Sequence, residues 1–197
     1  MDQEILHDLF IEQIRDLYDA EKQLVKALPK LAKAAESEEL SDAIRQHMEE
    51  TQNQVARLEQ VFESVEVTAK GKPCKGMKGL LEEGNEAVTE EDKGTLRDLA
   101  IIAAAQRVEH YEIAGYGTAR TLAEHLGLND AAELLEQTEE EEKQADTKLT
   151  EVATSLYESS DEEEETDVET DEAEMAGAGS SRGRTSSSSK NASRRKR

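Results

Sequence analysis

The chain has 197 residues, 46 acidic against 24 basic side chains, a formal net charge of −22 and a pI near 4.5. That charge excludes non-specific attachment to nucleic acid or an anionic membrane, which carry the same sign, and a single cysteine, Cys74, excludes an intrachain disulfide and a Cys-based zinc site. No apolar run approaches the ~20 residues that span a bilayer, and the acidic start Met1-Asp2-Gln3-Glu4 lacks the basic and apolar regions of a secretion signal, so a cytoplasmic location is expected.

Apolar residues recur at three- and four-residue spacing and strand-like alternation is absent, so the expected fold class is all-α. Helix one is expected over residues 5–34, with Phe10, Ile14, Leu17, Glu21, Leu24, Leu28 and Leu31 as its seam and Pro29 as its kink candidate. Ser37 is placed to cap helix two, which runs to residue 64 through Leu40, Ile44, Met48, Val55, Leu58 and Phe62. Residues 65–94 hold Gly71, Pro73, Gly76, Gly79, Gly84 and Gly94, which predicts a crossover with at most a short helix over 80–88. Helix three is expected over 95–126 along Leu99, Ile102, Gln106, Glu109, Ile113 and Tyr116, and ends at Gly127. Asn129 or Asp130 caps helix four, whose seam is Leu135, Thr138, Glu142, Ala145, Leu149, Val152 and Leu156. Two long antiparallel hairpins joined by one long crossover is the connectivity of a ferritin-like four-helix bundle.

Composition changes at Ser159. From there the chain holds 10 acidic and 7 basic residues, acidic first and then Ser/Arg-rich, and almost no large apolar residue. Such sequence buries too little to offset chain entropy, so residues 1–158 are expected to form the bundle and 159–197 a disordered tail. The remaining charge, −19 on residues 1–158, matches the acidic surfaces of proteins from saline cytoplasm.

The anomaly lies on the seams. Glu21, Glu50, Glu109 with Glu112, and Glu142 with Asp146 fall on or beside the apolar stripes. Glu21 lies 13 residues before Ala34 and Glu50 lies 13 after Ser37; Glu112 lies 14 before Leu126 and Glu142 lies 12 after Asp130. An antiparallel hairpin therefore brings each pair level, forming one polar layer. With 46 acidic residues, chance places some carboxylates at seam flanks, where water solvates them. A whole buried layer instead requires a bound cation, such as a metal pair, or paired hydrogen bonds.

The segments Asp16-Leu17-Tyr18-Asp19-Ala20-Glu21-Lys22-Gln23-Leu24, His47-Met48-Glu49-Glu50-Thr51 leading to Arg57-Leu58-Glu59, Cys74-Lys75-Gly76-Met77, and Val108-Glu109-His110-Tyr111-Glu112-Ile113-Ala114-Gly115-Tyr116-Gly117-Thr118 carry a resemblance. Over roughly residues 4–156 the chain resembles the YciE/YciF group of ferritin-like stress proteins. The resemblance implies a ferritin-like bundle with a dinuclear iron or manganese site and ferroxidase-like activity that uses oxygen or peroxide. On that pattern Glu50 and Glu142 would bridge two metal ions, Glu21 and Glu109 would be terminal ligands, and Glu112, Asp146 and His47 would complete the set. The pattern departs from the Glu-x-x-His of ferritin-like helices two and four, because Glu50 is followed by Asn53 and Gln54, and Glu142 by Ala145 and Asp146. A carboxylate-rich set favours hard cations over zinc or copper.

Two readings of function follow: a metal-dependent oxidoreductase, and a non-enzymatic stress or scaffold bundle whose acidic layer is paired by His47, Gln54, Gln106, Gln144 and tyrosines. His47 can ligate from one turn before Glu50 or belong to such a network, and His110, turned ~100° from Glu109, suits a supporting role. Tyr18, Tyr111 and Tyr116 are core residues with a polar handle or electron carriers near the layer. Cys74 among lysines is an ordinary loop thiol or an oxidisable one. Dimerisation is expected to cover remaining apolar faces. The basic end of the tail lacks the aromatic platform of a nucleic-acid binder.

Overall fold

The computed structural model describes residues 2–90 and 93–178, with side chains described through Ser160 except at Glu90. Five helices follow in order: α1 (Gln3–Ala34), α2 (Glu38–Ser64), α3 (Lys75–Glu90), α4 (Thr95–Leu126) and α5 (Asn129–Ala178). No strand occurs among the described residues, and none of their helices is long and apolar enough to cross a membrane.

The ends of these helices are set by the residues the sequence puts there. Asp2 caps α1 by accepting from the Glu4 N–H at 3.0 Å, and the Ser37 hydroxyl accepts from the Leu40 N–H at 3.3 Å. Buried Asp98, in the first turn of α4, accepts the backbone N–H groups of Glu36 and Ser37 at 2.9 and 2.7 Å, tying the α1–α2 turn to α4. Gly127 ends α4 at φ 72°, a left-handed conformation open to glycine without penalty, with the paired Leu128-to-Ala123 and Gly127-to-Glu124 bonds of a Schellman motif.

Two expectations change. The crossover holds a longer helix than residues 80–88: α3 spans Lys75–Glu90 with Gly76, Gly79 and Gly84 inside it. Glycine costs about 1 kcal/mol in a helix, but α3 packs on both α1 and α4, burying Met77 and half-burying Leu80, Leu81 and Val88. At Gly76 a Cβ would stand 2.7 Å from the Tyr111 ring, so the absent side chain lets α3 close on α4. The second change concerns the tail, where α5 is helical to Ala178 rather than disordered from Ser159. Glutamates are its commonest residues and have good intrinsic helix propensity, which composition-based disorder rules do not weigh. Residues 179–197 lie outside the described residues. By contact density the chain divides into Met1–Tyr157 and Glu158–Arg197.

Within Met1–Tyr157, α1 packs on α2, α3 and α4, and hydrogen bonds join α5 to α2 through Arg57 and to α4 through Arg120. The apolar core forms two clusters. One gathers Phe10, Ile14, Tyr18, Leu58, Phe62, Tyr116 and Leu135, and the other Leu24, Leu28, Leu40, Ile44, Met77, Ile101, Leu149 and Val152. Glu21, His47, Glu109, Glu112 and Glu142 each fall where residues of one cluster give way to residues of the other along their helices, so a polar layer divides the core.

Candidate metal centre

Four helices contribute to that layer. Glu21 of α1, Glu112 of α4 and Glu142 of α5 are completely buried, Glu109 of α4 is 2% exposed and His47 of α2 is 8% exposed. One ligating atom from each of His47, Glu109, Glu112 and Glu142 lies within 4.8 Å of all the others. His47 Nε2 is 3.5 Å from Glu109 Oε1. The Tyr116 hydroxyl donates to Glu21 Oε1 in a very short contact and fixes that carboxylate. Beyond these contacts the layer is poor in partners: Glu21 Oε2, Glu109 Oε2, both oxygens of Glu112 and of Glu142, and both ring nitrogens of His47 make no hydrogen bond.

Burial and mutual repulsion set the protonation. Burial raises Glu21 to about 7, with Glu109 adding to the shift and Tyr116, His47 and Arg57 opposing it. Glu112 and Glu142 are pushed well above the carboxylate range, first by burial and then by neighbouring acids: Glu21 and Glu109 for Glu112, and Glu112, Glu109 and Glu21 for Glu142. Burial works against charge on His47, but Glu109, Glu50 and Glu21 overcome it and raise the imidazole to about 9. Burial also raises Tyr116, with Glu21 and Glu112 contributing, so its hydroxyl stays a donor. The cluster without a metal is therefore a group of acids holding protons that a cation can displace.

The remaining candidates sit at the rim. The Glu50 side chain is 34% exposed, accepts from Gln46 at 2.9 Å, and is 3.8 Å from His47 Nδ1; the His47 contact holds it below its ordinary pKa. The Asp146 side chain is 24% exposed and turns to Gln106 at 3.1 Å and His110 at 3.5 Å. Glu21, His47, Glu109, Glu112 and Glu142 thus come together in the interior, while Glu50 and Asp146 flank them. Of the other tyrosines, Tyr18 donates to Glu59 at 2.7 Å, and Tyr111 donates to Asp16 at 2.7 Å with Cys74 Sγ 2.9 Å from its hydroxyl. Burial raises the Cys74 thiol above its ordinary pKa, the reverse of an activated thiol.

Arg57 is a buried cation beside the layer that helical spacing alone does not single out. Only 9% exposed, it donates to Thr138 at 2.6 Å and, through both terminal nitrogens, to Glu141 at 2.8 Å. Its place three residues after Gln54 and one before Leu58 was the available signal.

A family model described as "Domain of unknown function (DUF892)" matches residues 5–162. The chain belongs to the DUF892 family. Protein YciF of Escherichia coli K12 is 51% identical over 154 residues, covering 78% of this chain and 93% of YciF. The crystal structure of that E. coli stress protein superposes with a TM-score of 0.76 over 78% of this chain and 97% of the other. The structure of YcfI from Rhodopseudomonas palustris, 44% identical, gives 0.72 over 74% of this chain and 92% of YcfI. Membership in the YciF family, expected from four blocks of residues, is shown by these matches.

Proposed function

We propose that this DUF892 member is a ferritin-like stress protein whose four long helices hold a dinuclear iron or manganese centre, with ferroxidase or peroxide-consuming activity. The observation that carries the reading is the set of buried carboxylate oxygens on Glu112 and Glu142 with no hydrogen-bond partner, facing Glu109 and His47. A fold does not leave several buried acids unpaired without cost, and a hard cation with an oxygen-rich ligand set offsets that cost. The residues fit such a group: Glu21, Glu109, Glu112, Glu142 and His47 would hold it, with Glu50 and Asp146 at its edge. When bound, the metals supply one-electron chemistry toward oxygen or peroxide.

The chain's own residues do the rest. Tyr116 orients Glu21. A cavity of about 230 Å³ lined by Gln46, His47, Glu50, Glu109 and Gln144 opens the cluster to the outside, and Glu50, charged at its wall, attracts cations inward. Buried Leu17 lies away from this cavity, while Ile44 and Leu149 are apolar parts of its wall that limit how much water reaches the cluster. His47 gives up its proton on ligation, so metal affinity rises with pH.

The missing Glu-x-x-His histidines favour a second reading, a scaffold with a site that no longer binds. Thermal melts in rising manganese or anaerobic ferrous iron separate the two. A centre stabilises the fold by about 2.7 kcal/mol at a hundredfold excess over Kd, so Tm climbs with the logarithm of metal concentration. A flat response that chelator does not alter supports the scaffold.

A further inference from the structure

A second cavity, also about 230 Å³, lies between α1, α3 and α4 on the other side of Glu109. Its walls include Leu24, Leu28, Leu80, Leu81, Val88 and Val108. From Leu24 to Leu31 along α1 the wall runs about 10 Å, comparable with an extended chain of about eight carbons. Its lining also includes exposed Lys26 and Lys30, with Lys30 donating to Asn85 of α3. Lys26 makes no ion pair among the described residues, and the acid in the lining, Glu109, faces His47 at 3.5 Å. In a chain of net charge −22, two lysines beside an apolar slot are a selective feature for an anion. Gly84 keeps the slot open on the α3 side, since a Cβ there would meet only Ala104, at 3.6 Å.

We infer that this slot binds a medium-chain, singly anionic amphiphile, its alkyl chain along Leu24, Leu28 and Val108 and its anionic head at Lys26 and Lys30. The chain then lies alongside Glu109, between the solvent mouth and the acidic cluster. The proposal stands on the slot and needs no metal in the cluster.

Isothermal titration of decanoate into the metal-free full chain tests it. One saturable site is expected, weakening about fourfold for each methylene removed toward octanoate and hexanoate. Joint Lys26→Glu and Lys30→Glu substitution, on exposed positions, is expected to weaken decanoate at least tenfold and to leave 1-decanol unchanged. Gly84→Leu fills the slot while improving helix propensity, so it is expected to abolish binding of both without loss of helical content. Absence of saturable binding, decanol binding the parent chain as tightly as decanoate, or decanoate affinity unchanged by Gly84→Leu would each overturn the proposal. So would concentration-dependent self-association that Gly84→Leu abolishes, since a second copy then fills the slot. Metal uptake measured on the same sample reports separately on the centre.

Discussion

Helix α5 treats its neighbouring acids in opposite ways. Glu139 receives Arg120 at 2.8 Å and Lys143 at 2.9 Å, and these hold its carboxyl below the ordinary range despite the cost of burial. Glu141 receives the two-pronged guanidinium of Arg57. Glu142, one residue further, is buried against Glu109 and Glu112, receives no arginine or lysine, and is driven the other way. The bundle therefore gives arginine and lysine partners to its structural acids, while the several central acids share the single imidazole of His47. A missing counter-charge is informative where the same helix shows that counter-charges were available.

The contrast breaks first at the central acids. Glu142→Leu is expected to lower metal affinity at least 100-fold, the scale of losing a ligand and its support. It is also expected to raise the stability of the metal-free protein by about 1–3 kcal/mol, because an unpaired buried acid is replaced by apolar packing. Metal titration and urea denaturation of one sample read both. The satisfied side responds with the reverse sign: Arg57→Leu strands Glu141 and Thr138 and costs about 2–3 kcal/mol in urea denaturation, less than a fully buried pair because the Glu141 side chain is 26% exposed.

A pH series sharpens the same difference. Glu21, raised from 4.5 to about 7, contributes stability that is complete below 4.5 and lost as pH rises through 7. His47, raised from 6.5 to about 9, contributes stability that is complete below 6.5 and lost as pH rises through 9. Glu50 and Glu139, lowered, contribute above 4.5 and lose their part in acid. The Tm of metal-free protein is therefore expected to fall between pH 5 and 9, and Glu21→Gln to flatten the lower part of that fall.

The sequence's reach had physical limits at particular residues. Helix α4 was legible to the residue, since Gly94 and Gly127 punctuate a helical apolar spacing and Gly127 takes the left-handed conformation its position required. Helix α3 was under-read because its glycines argue locally against helix while its packing on α1 and α4 argues for it, and only the latter is non-local. Counting residues set Glu21, Glu112 and Glu142 at buried positions, but on α2 the buried member is His47 rather than the counted Glu50; ligating atoms of His47, Glu109, Glu112 and Glu142 lie within 4.8 Å of one another. Glu50 and Asp146 sit at the rim because seam spacing fixes where a backbone faces but not which way a long side chain turns; Gln46, Gln106 and His110 offer them bonds outside. Arg57 is not legible in the sequence because an arginine on a seam flank reads as a surface residue whose stem packs and whose head stays in water.

The smallest expected effect lies at the end of the bundle, away from the acids. Asp98→Ala removes two bonds to the α1–α2 turn and costs about 1–2 kcal/mol with metal affinity unchanged, which separates general stability from the centre.

Equilibrium dialysis of the full chain against ferrous iron under argon, followed by metal analysis, tests the central claim most directly. The account predicts about two ions per chain, and none in a chain carrying Glu112→Leu and Glu142→Leu together. Equal metal content in the parent and doubly substituted chains, or no retained metal in the parent, would contradict it.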